Sequence, residues 1–339
     1  MQYRVLGSSG VALSVLSLGT AFYGSTTPVD VAIELIHHAL DHGINALDTA
    51  NTYGDHRFDY PGVPRPRPLV EEIVGQAIKG RRSSVFLATK CGESVGSHPN
   101  QRGLSRRHIM EQVELSLRRL GTDYIDLYYP HHPDPTTPIS ETLRAFDDLV
   151  HQGKVRSIGL SDYRAWQVVE ALWMADRLRL SPPVCVQTLY NLLDRRDEFD
   201  LLPVCQRYGL SLVVFSPLAG GLLSGIYHPG EPPPSGSRAA FTQAPSGRPA
   251  AIPVLQPSYL ERAQRFASFA REHGYSPSVL ALAWLLSHPE ITSVITGAST
   301  IAELDENSRA TTLTLSSEER ATLDALLPPH EFPPSASSK

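Results

Sequence analysis

Four side chains in this sequence, taken together, could place a proton on a polarised oxygen: Asp48, Tyr53, Lys90 and His131. A phenol ordinarily ionises near ~10 and an ammonium near ~10.4, so a tyrosine beside a lysine becomes a readier proton donor. A carboxylate alongside keeps that ammonium charged and positioned, and an imidazole can orient a carbonyl oxygen toward the phenol. Each of the four stands at or just past the end of a run that reads as a β-strand, so a fold that gathers strand ends around one mouth is what the chemistry needs. Taken singly, each residue also has an ordinary structural use, Asp48 capping a loop and Lys90 serving as a solvated strand-end charge.

The elements supply such a fold. Strand-like runs occupy residues 15–19, 44–48, 85–89, 124–128, 155–160, 184–188, 210–215 and 291–295. Helical periods fall between them. In the first, Ala32, Leu35, Ile36, Ala39 and Leu40 share one face, with Asp30 as N-cap and Gly43 as the stop. Others cover residues 105–120 ending at Gly121, a stretch from Thr137-Pro138 to near Gly153, and residues 166–176, 199–208, 258–273 and 278–287. One more opens at Ser299. Eight βα units in series specify an α/β fold, a (β/α)8 TIM barrel, whereas an open doubly wound sheet typically has about five or six strands around a Gly-rich switch point. No GxGxxG follows the first strand.

Around the barrel, Gly7-Ser8-Ser9-Gly10 reads as the turn of an N-terminal β-hairpin. An extra C-terminal helix carries Ser316 and Glu319 at capping-box spacing and Leu323, Leu326 and Leu327 on one face. Two segments are too long for ordinary connections: the proline-rich residues 54–68, and residues 220–257, a long loop after strand 7. Both follow strand C-termini, the face on which barrel active sites lie. Residues 1–330 are expected to form one domain and residues 331–339 a polar, Pro-rich tail.

Composition narrows the function classes. With 30 Lys+Arg against 35 Asp+Glu, a net charge of −5 and 41% hydrophobic residues, neither disorder nor a basic nucleic-acid partner is expected. Cys91, Cys185 and Cys205 are too few for a disulfide framework, and no His/Cys/Asp spacing implies a metal. The longest apolar run, residues 279–286, falls far short of the ~18–20 residues that span a bilayer, and no signal-peptide core opens the chain. A cytoplasmic protein with no membrane partner is expected. Nothing in the sequence fixes an oligomeric state.

Seven motifs in order along the chain resemble the aldo-keto reductase family: DTANTYG (48–54), ATKCG (88–92), YIDLYYPHHPDP (124–135), SIGLSDY (157–163), QTLYNLLDR (187–195), FSPLAGGLLSG (215–225) and GASTIAELDEN (297–307). The resemblance implies an NAD(P)H-dependent barrel that reduces an aldehyde or ketone by hydride transfer. Tyr53 would be the general acid, Lys90 would lower its pKa, Asp48 would support Lys90, and His131 would orient the carbonyl. His132 adjoins His131, and side chains alternate along a strand, so the motif frame selects His131 and leaves its neighbour at the surface or in a supporting layer.

The same resemblance implies the cofactor site. Gly19 and Thr20 would line it, and Phe215 would stack on the nicotinamide, whose carboxamide Ser161, Asp162 and Gln187 would bind. Ser216, Leu218, Ala219, Gly220 and Gly221 would present backbone groups to the pyrophosphate. Gly297, Ser299, Glu303, Glu306 and Asn307 would surround the adenosine. Phe22, Tyr23 and Tyr129 would join the two long segments in the pocket for a small-molecule carbonyl substrate, where Arg57, Arg65 and Arg67 either meet an anionic group or are solvated. Three departures bear on the nucleotide. Asp162 stands where Asn is common, Ile226 where relatives often carry Lys, and Thr300 and Glu303 where Arg, Lys or Gln often approach the 2′-phosphate. Arg238 resembles a phosphate-clasping arginine. NADPH is the expected cofactor, with NADH the alternative and discrimination between them weakened. The YNLLDRR and SPLAGGLLSG stretches resemble a bacterial subgroup with sugar and sugar-phosphate reductases. A sugar dehydrogenase running oxidatively, or a cofactor-binding regulatory protein of the same fold, are the alternatives.

Overall fold

The computed structural model describes residues 1–55, 68–242 and 256–329. Strands β1 (Tyr3–Val5) and β2 (Ala12–Ser14) pair antiparallel with Tyr3 opposite Ser14. Their turn closes when the Leu6 N–H donates to the Val11 carbonyl over 2.8 Å, with Gly7 and Gly10 both at positive φ. Eight parallel strands then close on themselves: β3 (Leu16–Gly19), β4 (Ala46–Asp48), β5 (Phe86–Cys91), β6 (Ile125–Pro130), β7 (Val155–Ser161), β8 (Cys185–Leu189), β9 (Ser211–Phe215) and β10 (Ile291–Thr296), with β10 bonded back to β3. The expected (β/α)8 barrel is the observed one.

Helices α1 (Val29–Asp41), α2 (Val70–Ala77), α3 (Arg106–Leu120), α4 (Ile139–His151), α5 (Ala165–Leu178) and α6 (Leu201–Tyr208) surround the barrel. The short α7 (Arg238–Thr242), then α8 (Pro257–Glu272) and α9 (Pro277–Leu286), precede the last strand. Helices α10 (Ile301–Ser308) and α11 (Ser317–Leu326) complete the described chain. None is long and apolar enough to cross a membrane.

Alternation along the strands sorts two cores. Ala46, Phe86, Ala88, Leu127, Val213 and Ile295 fill the barrel with Leu6 and Leu13 from the hairpin segment, whereas Leu16, Leu18, Leu47, Leu87 and Val294 face the helices. Inside the barrel a Cβ on Gly159 would lie 2.2 Å from Tyr129 Cε1 and 2.8 Å from Cys185 Sγ. Only a missing side chain on β7 admits the tyrosine ring. Gly159→Ala is therefore expected to cost about 1–3 kcal/mol through overpacking, read as a lower urea midpoint at unchanged slope.

Local chemistry explains most boundaries and some differences. The Ser105 hydroxyl accepts from the His108 N–H, and Gly121 takes the left-handed conformation that ends α3. Ser316 and Glu319 form the capping box of α11, and Leu323 and Leu327 are buried beneath it. Asp30, expected as the cap of α1, instead lies in its first turn, where its charge still suits the helix dipole, because Pro28 occupies the cap. Thr300 rather than Ser299 caps α10. Helix α2 was not expected; it is short, and its start is fixed by a Glu72 carboxylate accepting from the Leu69 N–H over 2.9 Å. Strands β5, β6 and β7 run further than expected, so Lys90 and Ser161 lie within strands.

Candidate active site

Because all eight barrel strands are parallel, their C-terminal ends share one rim. Asp48 ends β4, Lys90 lies one residue before the end of β5, and His131 follows β6 directly. Tyr53 lies in the turn after β4, where its N–H donates to Ala50 O and its carbonyl accepts from Val70 at the start of α2 over 3.0 Å. Helix α3 clamps the same turn: Asn51 Nδ2 donates to Gln112 over 2.8 Å, and Arg119 donates to the Asn51 carbonyl and to buried Glu71, each over 3.2 Å. Neither Gln112 nor Arg119 was singled out in the sequence, where they appear only as polar residues on a helix face.

Within this frame the Lys90 ammonium is fully buried, ion-paired with Asp48, and donates to the Thr49 carbonyl over 2.9 Å. Its third partner is the Tyr53 hydroxyl at 3.5 Å. Gln187 Nε2 donates to the second Asp48 oxygen over 2.8 Å, so the carboxylate is held from both sides. Burial alone would lower the Lys90 ammonium, but Asp48 and Tyr53 outweigh it and hold it above the ordinary lysine range, hence charged. Burial also raises the Tyr53 phenol, and here it prevails over the opposing pull of Lys90. The expected acidifying contact is present, yet the net direction is upward; the resting phenol keeps its proton.

His131 meets the Tyr53 ring edge-on, centroids 5.8 Å apart. Strict strand alternation would have sent His132 the other way, but β6 ends at Pro130 and the chain bends, so the two imidazoles stack with centroids 4.8 Å apart and planes within 4°. His132 in turn bridges two neighbouring strand ends. Its Nε2 lies 3.1 Å from Glu93, after β5, and its Nδ1 3.1 Å from Asp162, after β7. Burial by itself would lower this imidazole; the hydrogen bonds to Asp162 and Glu93 outweigh it and raise it to about 9. Asp162 adopts φ 57°, a left-handed position that Asp and Asn tolerate better than most residues. Linear spacing gave no metal-ligand pattern, but folding gathers Glu93, His131 and His132 with their ligand atoms within 4.8 Å of one another.

The residues expected to hold the nucleotide lie around the same rim. Phe215 ends β9 half-buried, and Ser161 ends β7. Beyond Phe215 the backbone alternates hand: Ser216, Ala219, Gly220 and Gly221 have φ of 52°, 51°, 67° and 97°, with Leu218 at −97° between them. These left-handed positions fold the segment into a tight turn, in which the Ala219 and Gly221 N–H groups donate to the Ser216 and Leu218 carbonyls, each over 2.9 Å. Asn191 pins this turn by donating to the Ser216 carbonyl over 3.0 Å. Tyr227 braces it, its hydroxyl donating to Gly220 O and accepting from the Ala239 N–H. Neither was named from sequence; Asn191, inside the YNLLDR run, was the legible one. The Gly297 Cα faces open space at the end of β10. A half-buried ring, a glycine-rich turn and an open glycine on one rim fit a dinucleotide.

Other expected residues have different placements. Thr20 is buried and ties its N–H and hydroxyl to the Asp48 carbonyl, and Gly19 packs against Ile295. Gln187 donates from its amide nitrogen to Asp48. Tyr129 is buried inside the barrel with its hydroxyl 3.5 Å from Cys185, and Tyr23 is buried in the outer core. Both tyrosines, expected to line the substrate pocket, are thus buried side chains. Phe22 stays at the rim, with the Arg238 guanidinium 4.2 Å from its ring centroid. Ser299 donates its N–H and hydroxyl to Glu303 over 2.7 and 2.8 Å, Glu306 accepts from Ser276, and Asn307 donates to Thr296. Arg57, Arg65 and Arg67 lie outside the described residues, as does the tail at 331–339.

Comparison with known proteins agrees with this geometry. A family model described as the Aldo/keto reductase family matches residues 15–328. The chain is 38% identical over 315 residues, 91% of each chain, to an Arabidopsis thaliana protein described as a probable voltage-gated potassium channel subunit beta. It is 36% identical over 336 residues to an uncharacterized oxidoreductase of Bacillus subtilis, covering 97% of this chain and 96% of that one. Over 334 residues it is 33% identical to L-glyceraldehyde 3-phosphate reductase of Escherichia coli, covering 96% and 92%. The chain belongs to the aldo/keto reductase family. Membership carries the class of chemistry, an oxidoreductase acting on carbonyl compounds, in a family that generally uses NAD(P)H.

Proposed function

We propose that this protein reduces an aldehyde or ketone, a sugar or sugar derivative among them, to the alcohol, with Tyr53 as the general acid. The observation that carries the reading is the buried Lys90 ammonium, paired with Asp48 and 3.5 Å from the Tyr53 hydroxyl at the C-terminal rim of the barrel. Bound NAD(P)H supplies the hydride. Tyr53 holds the proton that the carbonyl oxygen takes up, and Lys90 stabilises the charge that grows on the phenol oxygen as that proton leaves. Asp48, fixed by Gln187, keeps Lys90 in place, and His131 orients the carbonyl beside the phenol. Ser161 and Phe215 would hold the nicotinamide end, and the turn from Ser216 to Gly221 the pyrophosphate.

Likeness to a glyceraldehyde phosphate reductase favours a small hydroxyaldehyde or its phosphate as substrate. Likeness to proteins described as channel subunits favours a second reading, a regulatory protein that binds the cofactor. The complete set of Asp48, Tyr53, Lys90 and His131 weighs for catalysis. Purified protein assayed against aldehydes, ketones and aldoses with both nucleotides separates the two: turnover supports the enzyme, and cofactor binding without turnover supports the regulator.

The nucleotide preference turns on Glu303. Its carboxylate is anchored by Ser299 at the start of α10, where it would oppose a 2′-phosphate. Glu303→Gln is expected to tighten NADPH binding by about tenfold relative to NADH in fluorescence titrations. An unchanged ratio, or a wild-type preference for NADPH above about a thousandfold, would show that Glu303 does not discriminate.

A further inference from the structure

We propose that the strand-end cluster of Glu93, His131 and His132 is a binding site for a borderline transition-metal cation such as Zn2+, and that the bound ion blocks the mouth. The inhibitory half rests on the functional reading above; the binding half does not. The three ligand atoms lie within 4.8 Å of one another and come from the ends of adjacent strands β5 and β6. His132 Nε2 and Glu93 Oε1 are 3.1 Å apart, close to the edge of about 3.4 Å between ligands of a tetrahedral zinc ion. The other nitrogen of His132 meets the Asp162 carboxylate at 3.1 Å. Here both His132 nitrogens donate to carboxylates; an entering ion displaces the proton on Nε2, while the Nδ1–H stays on Asp162 and keeps the orientation that metal sites impose through their outer shell. The His131 ring lies alongside, stacked within 4° of parallel, so sharing an ion requires it to turn out of the stack; two imidazoles with a carboxylate suit Zn2+ rather than Mg2+ or Ca2+. A fourth position is left to water.

An ion held here draws His131 away from the carbonyl oxygen it would orient beside Tyr53. It therefore competes with the carbonyl compound, not with the nucleotide. Neither Glu93 nor His132 has a part in the proton transfer.

Calorimetric titration of the full chain with ZnCl2 is expected to show one site. His132→Gln and Glu93→Gln should each weaken it by at least about tenfold, and Asp162→Asn, which loosens the orienting bond, by about tenfold. His42→Gln, altering the stacked His38–His42 pair at the C-terminal end of α1, should leave it unchanged. Co2+ in place of Zn2+ should give visible absorption that is lost in His132→Gln. Zinc affinity equal in wild type, His132→Gln and Glu93→Gln, or no binding below about 1 mM, would overturn the site. Zinc should raise the apparent KM for the carbonyl and be reversed by a chelator; binding at this site without loss of turnover would overturn the inhibition. Calorimetry and absorption need no turnover, so a chain that binds as expected and reduces no carbonyl supports the metal site and counts against the catalytic reading.

Discussion

Lys90→Met is expected to cost about 3–5 kcal/mol of stability, because it leaves the Asp48 carboxylate buried without its counter-charge. The same change should lower carbonyl turnover by about 10²–10³-fold, since no charge then stabilises the phenol oxygen as it loses its proton. The two losses have different remedies. Adding Asp48→Asn to Lys90→Met removes the stranded charge and should restore much of the stability while leaving turnover low, a non-additivity that urea denaturation and steady-state rates on the same preparations would reveal. The folded-state ammonium is held above its ordinary value: burial would lower it, and Asp48 and Tyr53 reverse the sign. A raised pKa of this kind contributes stability that is fully present below about 10.4 and is lost as pH climbs through the folded value. The gap between wild type and the double variant should therefore narrow only in strongly alkaline solution. Equal stability of wild type and Lys90→Met would contradict the burial of the pair.

The barrel was legible because its signals are local and repeated. Each strand is a short β-rich run beside a helix with an apolar stripe, and stops such as Gly121 and caps such as Ser105 and Ser316 act through their own backbone neighbours. Helix α2 escaped because it is short and follows a proline-rich stretch, so its period had little length in which to show. At the site, Asp48, Lys90, Tyr53 and His131 could be placed because strand order alone brings their positions to one rim. What could not be read was direction. Tyr129 and Lys90 are register partners on adjacent strands, yet the tyrosine ring goes into the barrel beside Gly159 while the ammonium meets Tyr53. The parallel stacking of His131 and His132 depends on where β6 ends, a boundary uncertain by a residue or two from sequence. Glu93 and Asp162 gain their meaning only when their loops close around His132, a contact between residues distant in the chain.

Tyr53→Phe is expected to lower kcat for carbonyl reduction by about 10²–10⁴-fold, the range for a positioned general acid. It removes one oxygen and keeps the ring, so the edge-on contact with His131 and the Lys90 ammonium 5.2 Å from the ring centroid can persist. Folding and nucleotide affinity should change little. The direct measurement is stopped-flow oxidation of enzyme-bound NADPH by a nitrobenzaldehyde, wild type against Tyr53→Phe, with nucleotide affinity titrated on the same samples. The hydride-transfer rate is expected to be at least about a hundredfold lower in the variant at equal nucleotide affinity; equal rates in the two proteins would contradict Tyr53 as the proton donor.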